Sequence, residues 1–439
     1  MKRILCIMYA ILISAQLHLN AEALHYDKDA NPIDSIITKG QILDDPKGLI
    51  SDDFSVPSEL RDRVQFWFDQ YTKHDYSTYT IHHKIYPWIV FDRVEASPIL
   101  TLGRGHYSER KANAEVLVQA RIHQIQASLL KLSRLSNFDK ISGSERQILE
   151  QHQKLPGSLA RNLRDSAQNV RVQQGMRDSF YRGLLHSMKY MTYMEEQFRK
   201  VGLPTELTRL PFVESGFNEN ALSKVGASGI WQIMPKTGEA FAMVTPQIDE
   251  RNSPLKATLI AAQVLSKYFR MAGSWPLALT SYNHGIGGVL KAKRRLKTES
   301  LAEIIENYED PNFKFASSNF YASFLAALYT EKYHGEIFKN RKLIKRKLLV
   351  RDAVVLEHPT SLSLISDSLK IPMDTLVEYN KDLKNAGANI TLPQGFEVHL
   401  PLGHKKDFVE LFNAVDVKQA TVENTNDSRR TSPKVRTIF

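Results

Sequence analysis

One cysteine stands in 439 residues, and it is Cys6. It lies in the apolar start of the chain, ahead of Ala21-Glu22-Ala23, which fits an A-x-A cleavage signal. Cutting after Ala23 leaves a mature chain with no disulfide, no cysteine-ligated metal and no thiol nucleophile. Cys6 is also a poor lipid anchor, because a lipid-modified cysteine sits at the cleavage site. Long apolar runs are missing too. Ile4 to Leu19 is short and interrupted by Ser14, Gln16 and His18, behind a basic Lys2-Arg3 start. That pattern reads as a signal peptide over 1–23 and not as an uncleaved anchor. No later stretch has the length of a membrane helix. Runs of β-branched residues are short, so the expected class is mainly α. No phosphate loop is present: Gly285-Ile286-Gly287-Gly288 follows no strand and leads into no Gly-Lys-Ser/Thr. No metal or cofactor signature stands out. His82 and His83 are adjacent on an extended segment, where neighbours point to opposite faces.

Acidic residues are the scarcer charge, 48 against 58 Lys and Arg, for a net charge of +10. A basic exported chain is drawn to acidic partners such as anionic lipid or anionic wall polymer. Export argues against nucleic acid. Peripheral contact with a membrane or wall polymer stays open, because solubility alone accounts for the charge. Much of the surplus lies in Lys291–Lys297, Lys339–Arg351 and the last residues. An exported chain without disulfides suits a bacterial periplasm or cell envelope.

What is present falls into stretches. Residues 24–55 are polar, with Pro32, Gly40, Pro46 and Gly48, and read as a lead-in linker. Residues 56–200 read as a helical support region. Leu60, Val64, Trp67 and Phe68 share a helical face, and Tyr79 to Val94 reads as an extended arm or short hairpin. Ser108 to Leu135 has a helical period, Ser142 or Ser144 starts another helix, and Gln151 to Gln174 is polar and helix-compatible.

The centre is Leu203 to Pro235. Pro204 favours a helix start, and Leu207, Leu210 and Glu214 fall on one face. Pro211 removes a helical hydrogen bond just before the carboxylate. A carboxylate in an apolar stripe is expensive to bury charged, so its pKa should rise, as a general acid requires. The bland alternative is a Glu that reaches solvent or pairs with Arg209. Gly226 and Gly229 bracket a turn where a backbone can approach a ligand closely. Gln232 offers an amide. Tyr282 and Asn283 close an apolar helix.

These residues carry a resemblance. Glu214-Ser215, then Gly226 to Pro235 with Trp231, Gln232 and Met234, then Tyr282-Asn283-His284-Gly285 are similar in order and spacing to the catalytic domain of lytic transglycosylases. They resemble most narrowly the membrane-bound murein transglycosylase D type, which shares a lysozyme-like fold with goose-type lysozymes. The resemblance implies a lysozyme-like α-helical catalytic domain over 201–338 and peptidoglycan glycan strands as substrate. It implies that Glu214 protonates the leaving oxygen between N-acetylmuramic acid and N-acetylglucosamine. Glu214 then acts as base while the muramic acid's 6-hydroxyl attacks C1, which gives a 1,6-anhydro end. Ser215, Gly226, Gly229, Gln232, Tyr282 and Asn283 would position the sugar or the carboxyl, and Met234 would line the cleft. No cofactor or metal is implied. One departure concerns a late helix, where relatives place a tyrosine after an asparagine. Here Asn319 is followed by Phe320 and then Tyr321, so both stand as substrate-side candidates, with core packing as the rival.

Residues 339–349 read as a basic connector. Residues 350–402 resemble a LysM-like glycan-binding module of strand, two helices and strand, carried by Thr360-Ser361-Leu362, Ile365, Leu369, Leu376, Tyr379-Asn380 and Ile390 to Pro401. Its usual Gly-Asp-Thr-Leu opening is replaced by Pro359-Thr360-Ser361-Leu362. Residues 403–439 read as a basic, partly disordered tail. Two alternatives remain at this level: a hydrolytic muramidase on the same fold, with Asp249 or Glu250 holding a water, and a non-catalytic glycan-binding scaffold.

Overall fold

The computed structural model describes residues 41–101, 103–339, 349–384, 390–412 and 415–416. The expected signal peptide, most of the basic connector and the end of the tail lie outside the described residues. The chain forms two compact units, each assembled from separate stretches. One takes the described residues of Met1–Arg182 and Lys267–Lys342, the other those of Gly183–Ser266 and Leu343–Phe439.

In the first unit, the helices Arg61–Thr72 and Phe315–Lys332 pack side by side. The second of these is apolar nearly all round, as a helix buried on most of its surface must be. Its one buried amide is fully used. Asn319 Oδ1 accepts from Arg63 Nη1 and from Trp67 Nε1, each at 3.1 Å, while Asn319 Nδ2 donates to the Phe315 carbonyl at 2.8 Å. The Tyr71 and Ser323 hydroxyls share a bond of 2.7 Å one turn on. Asn319→Leu keeps the volume and strands both donors, so it should cost about 3 kcal/mol. Urea unfolding measures this, and a loss under about 1 kcal/mol would show that the acceptor is dispensable.

A three-stranded antiparallel sheet belongs to the same unit, with Thr78–His83 between Val90–Glu95 and Val170–Gln174. Tyr79 to Val94 is thus a hairpin. Within Gln151 to Gln174, read as helix-compatible, the last five residues form this third strand instead. The helix Leu159–Gln168 stops at Asn169, and Val170 and Val172 then alternate with polar residues in a strand. Every residue of the central strand is buried. Ile81 meets Ile125, Leu129 and Leu163 on the face covered by helices. His82 turns to Phe66, ring centroids 4.7 Å apart, and His83 stacks on Tyr86. Among the covering helices, Ser142 is the cap of Gly143–His152. Its hydroxyl accepts from Glu145 N–H and its own N–H donates to the Glu145 carboxylate.

In the second unit, Arg351–Val355 runs antiparallel to Glu397–Pro401, and between them the two helices Leu362–Leu369 and Met373–Tyr379 are flanked by a short antiparallel pair, Thr360–Ser361 with Thr391–Leu392. Asn380 ties the helix Met373–Tyr379 to the last strand. It donates to the His399 carbonyl at 2.8 Å and accepts from His399 N–H at 2.9 Å. The apolar core of this module includes Val354, Leu362, Ile365 and Phe396, and also Ile248, which is more than a hundred residues earlier in the chain. No helix among the described residues is long and apolar enough to cross a membrane.

Candidate active site

Glu214 ends a short helix. Pro204 caps a 3-10 turn over Thr205–Arg209, and the chain then widens into the α-helical turn Leu210–Glu214, with Pro211 in its first turn. Proline fits there because its missing N–H would have had no helical partner. Leu207, Leu210 and Glu214 are all buried, with Glu214 only 7% exposed. Burial alone pushes the Glu214 carboxyl up to about 8. Among the described residues no charged neighbour offsets it. Arg209, the candidate salt-bridge partner, is held instead by Glu195 and donates to the Thr205 carbonyl at 3.2 Å. The site therefore holds a neutral carboxylic acid at pH 7, which is the state a proton donor needs.

Ser215 follows and is buried as well. Its hydroxyl donates to the Ile230 carbonyl at 2.8 Å, so it straps the Glu214 helix to the next turn. That turn is built on positive φ at Gly226, Gly229 and Gln232. Gly229 is where the backbone is approached most closely, and the approaching group is the chain itself. A Cβ there would lie 2.0 Å from the Arg251 carbonyl oxygen. Gln232 spends its amide N–H groups on the turn, donating to the carbonyls of Gly229 at 2.9 Å and Ala221 at 3.1 Å. The amide donor expected to face a ligand is thus committed internally, and the Gln232 carbonyl oxygen is the atom left to contact one. Trp231 is an anchor, stacked on Phe198 at 5.7 Å and donating to Thr258 Oγ1 at 3.0 Å. Met234 is 44% exposed beside the turn.

Tyr282, Asn283, Phe320 and Tyr321 belong to the first unit. Tyr282 and Asn283 lie in the last turn of the helix Trp275–His284, half-buried. Asn283 Oδ1 accepts from Ser317 Oγ at 3.2 Å, which fixes its amide. Phe320 and Tyr321 are both buried, and Tyr321, 2% exposed, stacks on Phe324. Burial pushes the Tyr321 hydroxyl far up. Core packing, the rival reading, accounts for this burial.

Residues 192–305 match the transglycosylase SLT domain. The chain carries an SLT domain. It is similar to membrane-bound lytic murein transglycosylase D of Escherichia coli strain K12, 28% identical over 249 residues, which is 55% of this chain and 52% of that protein. The protein of the same name from Escherichia coli O6:H1 matches to the same extent. The chain thus spans about half the length of these relatives. Glu214, Ser215, the glycine turn, Tyr282 and Asn283 all lie within the matched SLT segment.

The sequence reading missed the segment that packs behind the turn. Arg251 donates to the carbonyls of Gly226 at 2.8 Å and Ile233 at 3.1 Å, and Ser228 donates to the Asn252 side chain. Asp249 grips the same guanidinium through both oxygens, at 2.9 and 2.8 Å, and lies 3.3 Å from Lys384. Glu250 accepts from Met243 N–H at 2.6 Å and lies 3.5 Å from Lys256. Nothing in the Asp-Glu-Arg run signals a structural clamp, because its partners are backbone carbonyls.

Proposed function

We propose that this chain is a peptidoglycan lytic transglycosylase of the cell envelope, cutting the β-1,4 bond between N-acetylmuramic acid and N-acetylglucosamine. The observation that carries this reading is Glu214 within the SLT segment, buried with no ion-pair partner among the described residues and its carboxyl pushed up to about 8. Its proton passes to the glycosidic oxygen as the C1–O bond breaks. The muramic acid's 6-hydroxyl then closes on C1 and returns its proton to Glu214, leaving a 1,6-anhydro end. One carboxyl serves both steps, unlike the paired carboxylates of ordinary glycosidases.

A hydrolase needs a group to hold the attacking water. Asp249 and Glu250 are poor holders, because Arg251, Lys384, Lys256 and the Met243 N–H already occupy their oxygens. Two helices enclosed by the antiparallel strands Arg351–Val355 and Glu397–Pro401 support the LysM-like reading of the C-terminal module, with glycan as its ligand. The deciding measurement is mass spectrometry of products from purified sacculi. Anhydro ends, one water lighter than reducing ends, are expected; reducing ends throughout would make the chain a muramidase.

A further inference from the structure

The stretch 243–252 has two faces within the second unit. One is spliced into the C-terminal module. Asp249 N–H donates to the Asp382 carbonyl and Lys384 N–H donates to the Gln247 carbonyl, both at 2.7 Å. Ile248 bridges Leu383 and enters the module's apolar core. Just beyond, Lys256 is buried and donates to Asp382 at 2.7 Å, with its ammonium 3.7 Å from the centre of the Phe396 ring. The other face is the Arg251 clamp on the Gly226 and Ile233 carbonyls. Asp249 joins the two faces, because its carboxylate holds Arg251 and meets Lys384. Burial pushes Asp249 up, but these two cations outweigh it, and its carboxyl ends below the usual range. It is therefore an ionised bridge between a module lysine and the turn arginine.

The clamp reaches Glu214 in one further step. The Ile230 carbonyl lies between the two carbonyls that Arg251 holds, and it receives the Ser215 hydroxyl. Both carbonyls accept from Nη1 while Asp249 holds the Nε and Nη2 edge, so the planar guanidinium fixes the direction of the two Nη1 bonds relative to Asp249. The ammonium of lysine cannot do this. Loss of a module contact should loosen Asp249, then Arg251, then the turn to which Ser215, next to Glu214, is strapped.

We infer that Arg251 is a positioning residue for the Glu214 site, and that the C-terminal module holds it in place through Lys384 and Asp382. The module is then a brace for the catalytic turn in addition to any glycan it binds. This inference rests on the reading of Glu214 as proton donor for its effect on rate, and on geometry alone for its effect on the turn.

The full chain tests it in two variants. Lys384→Met keeps the apolar stem and removes the ammonium, and Arg251→Lys keeps the charge and removes the fork. Hydrogen exchange reads the brace whether or not the wall is cut. The amides of Gly229 and Ile233 should exchange at least about 10-fold faster in Lys384→Met, with the Thr78–His83 strand unchanged. Release of soluble fragments from sacculi should fall about 10-fold in Lys384→Met and about 100-fold in Arg251→Lys. Wild-type activity should fall away above about pH 8 as Glu214 loses its proton. In both variants this alkaline limb should move to lower pH, because a loosened turn admits water and burial alone sets the Glu214 pKa. A variant that merely populates the unfolded state lowers the amplitude and leaves the limb where it was. Unchanged turn exchange in Lys384→Met, or an unmoved limb in a folded variant, overturns the inference. If Glu214→Gln cuts like wild type while turn exchange still rises, the catalytic reading fails and the brace stands. Should Arg251→Lys fail to fold, Lys384→Met at the module surface carries the same readouts.

Discussion

Glu214→Gln should abolish the release of soluble fragments from sacculi while leaving the chain folded. The residual rate is expected at or below about one part in a thousand, within the 10²–10⁴-fold that a positioned general acid contributes. The loss is large because the same carboxyl both gives the first proton and takes the second. The variant should fold because it is nearly isosteric and, at pH 7, equally neutral. Its effect on stability has a definite sign. The folded carboxyl titrates near 8 against 4.5 in the unfolded chain. Below pH 4.5 both states hold the proton and the folded state keeps its full advantage. Between the two values the folded chain holds a proton that the unfolded chain has released, so stability falls as pH rises, by at most about 1.4 kcal/mol per pH unit. Above 8 the curve levels. Glu214→Gln removes that slope. The variant should therefore gain on wild type between pH 5 and pH 8 in urea unfolding. Parallel stability curves would mean that Glu214 is solvated and ionised, which would remove the basis for its role.

That carboxyl was legible in the sequence because a lone acid in an apolar stripe breaks a local rule. Its neighbourhood was legible in part. Gly226, Gly229 and Gln232 announced a turn with unusual backbone angles, and the turn has them. Their internal contacts were not legible: Gly229 makes room for the Arg251 backbone, and the Gln232 amide binds its own turn. Arg251 itself was invisible. Its acceptors are main-chain carbonyls 25 and 18 residues away, and main-chain acceptors leave no mark on residue identity. The mainly helical class followed from composition and periodicity. The strand Val170–Gln174 did not, because a five-residue segment flanked by polar helix-formers takes its conformation from the sheet edge it completes. The splice of Ile248 and Asp249 into the C-terminal module escaped notice for a related reason. Such a pairing joins segments more than a hundred residues apart through two amides and one apolar side chain.

Gly229→Ala should be the most damaging single-methyl substitution in the turn. Two costs add there. Gly229 has φ +72°, a conformation that costs an alanine about 1 kcal/mol. The new Cβ would also sit 2.0 Å from the Arg251 carbonyl oxygen, which is backbone and cannot rotate aside. Relief requires the turn and the 251 segment to separate by more than 1 Å, judged against an ordinary contact of about 3.5 Å. That movement pulls the Gly226 and Ile233 carbonyls off the guanidinium and strains the Ser215 strap. The combined loss should reach about 3 kcal/mol, with activity lost beyond what the unfolded fraction explains. Gly226→Ala is the internal control. It has φ +86°, and its Cβ would meet only the Pro235 ring at 3.0 Å, a side chain that can shift slightly. It should cost about 1 kcal/mol and keep most activity. The ordering of the two melting temperatures is the check. If Gly226→Ala proves as harmful as Gly229→Ala, backbone angle alone governs both sites, and the close packing of Arg251 behind the turn contributes nothing to it.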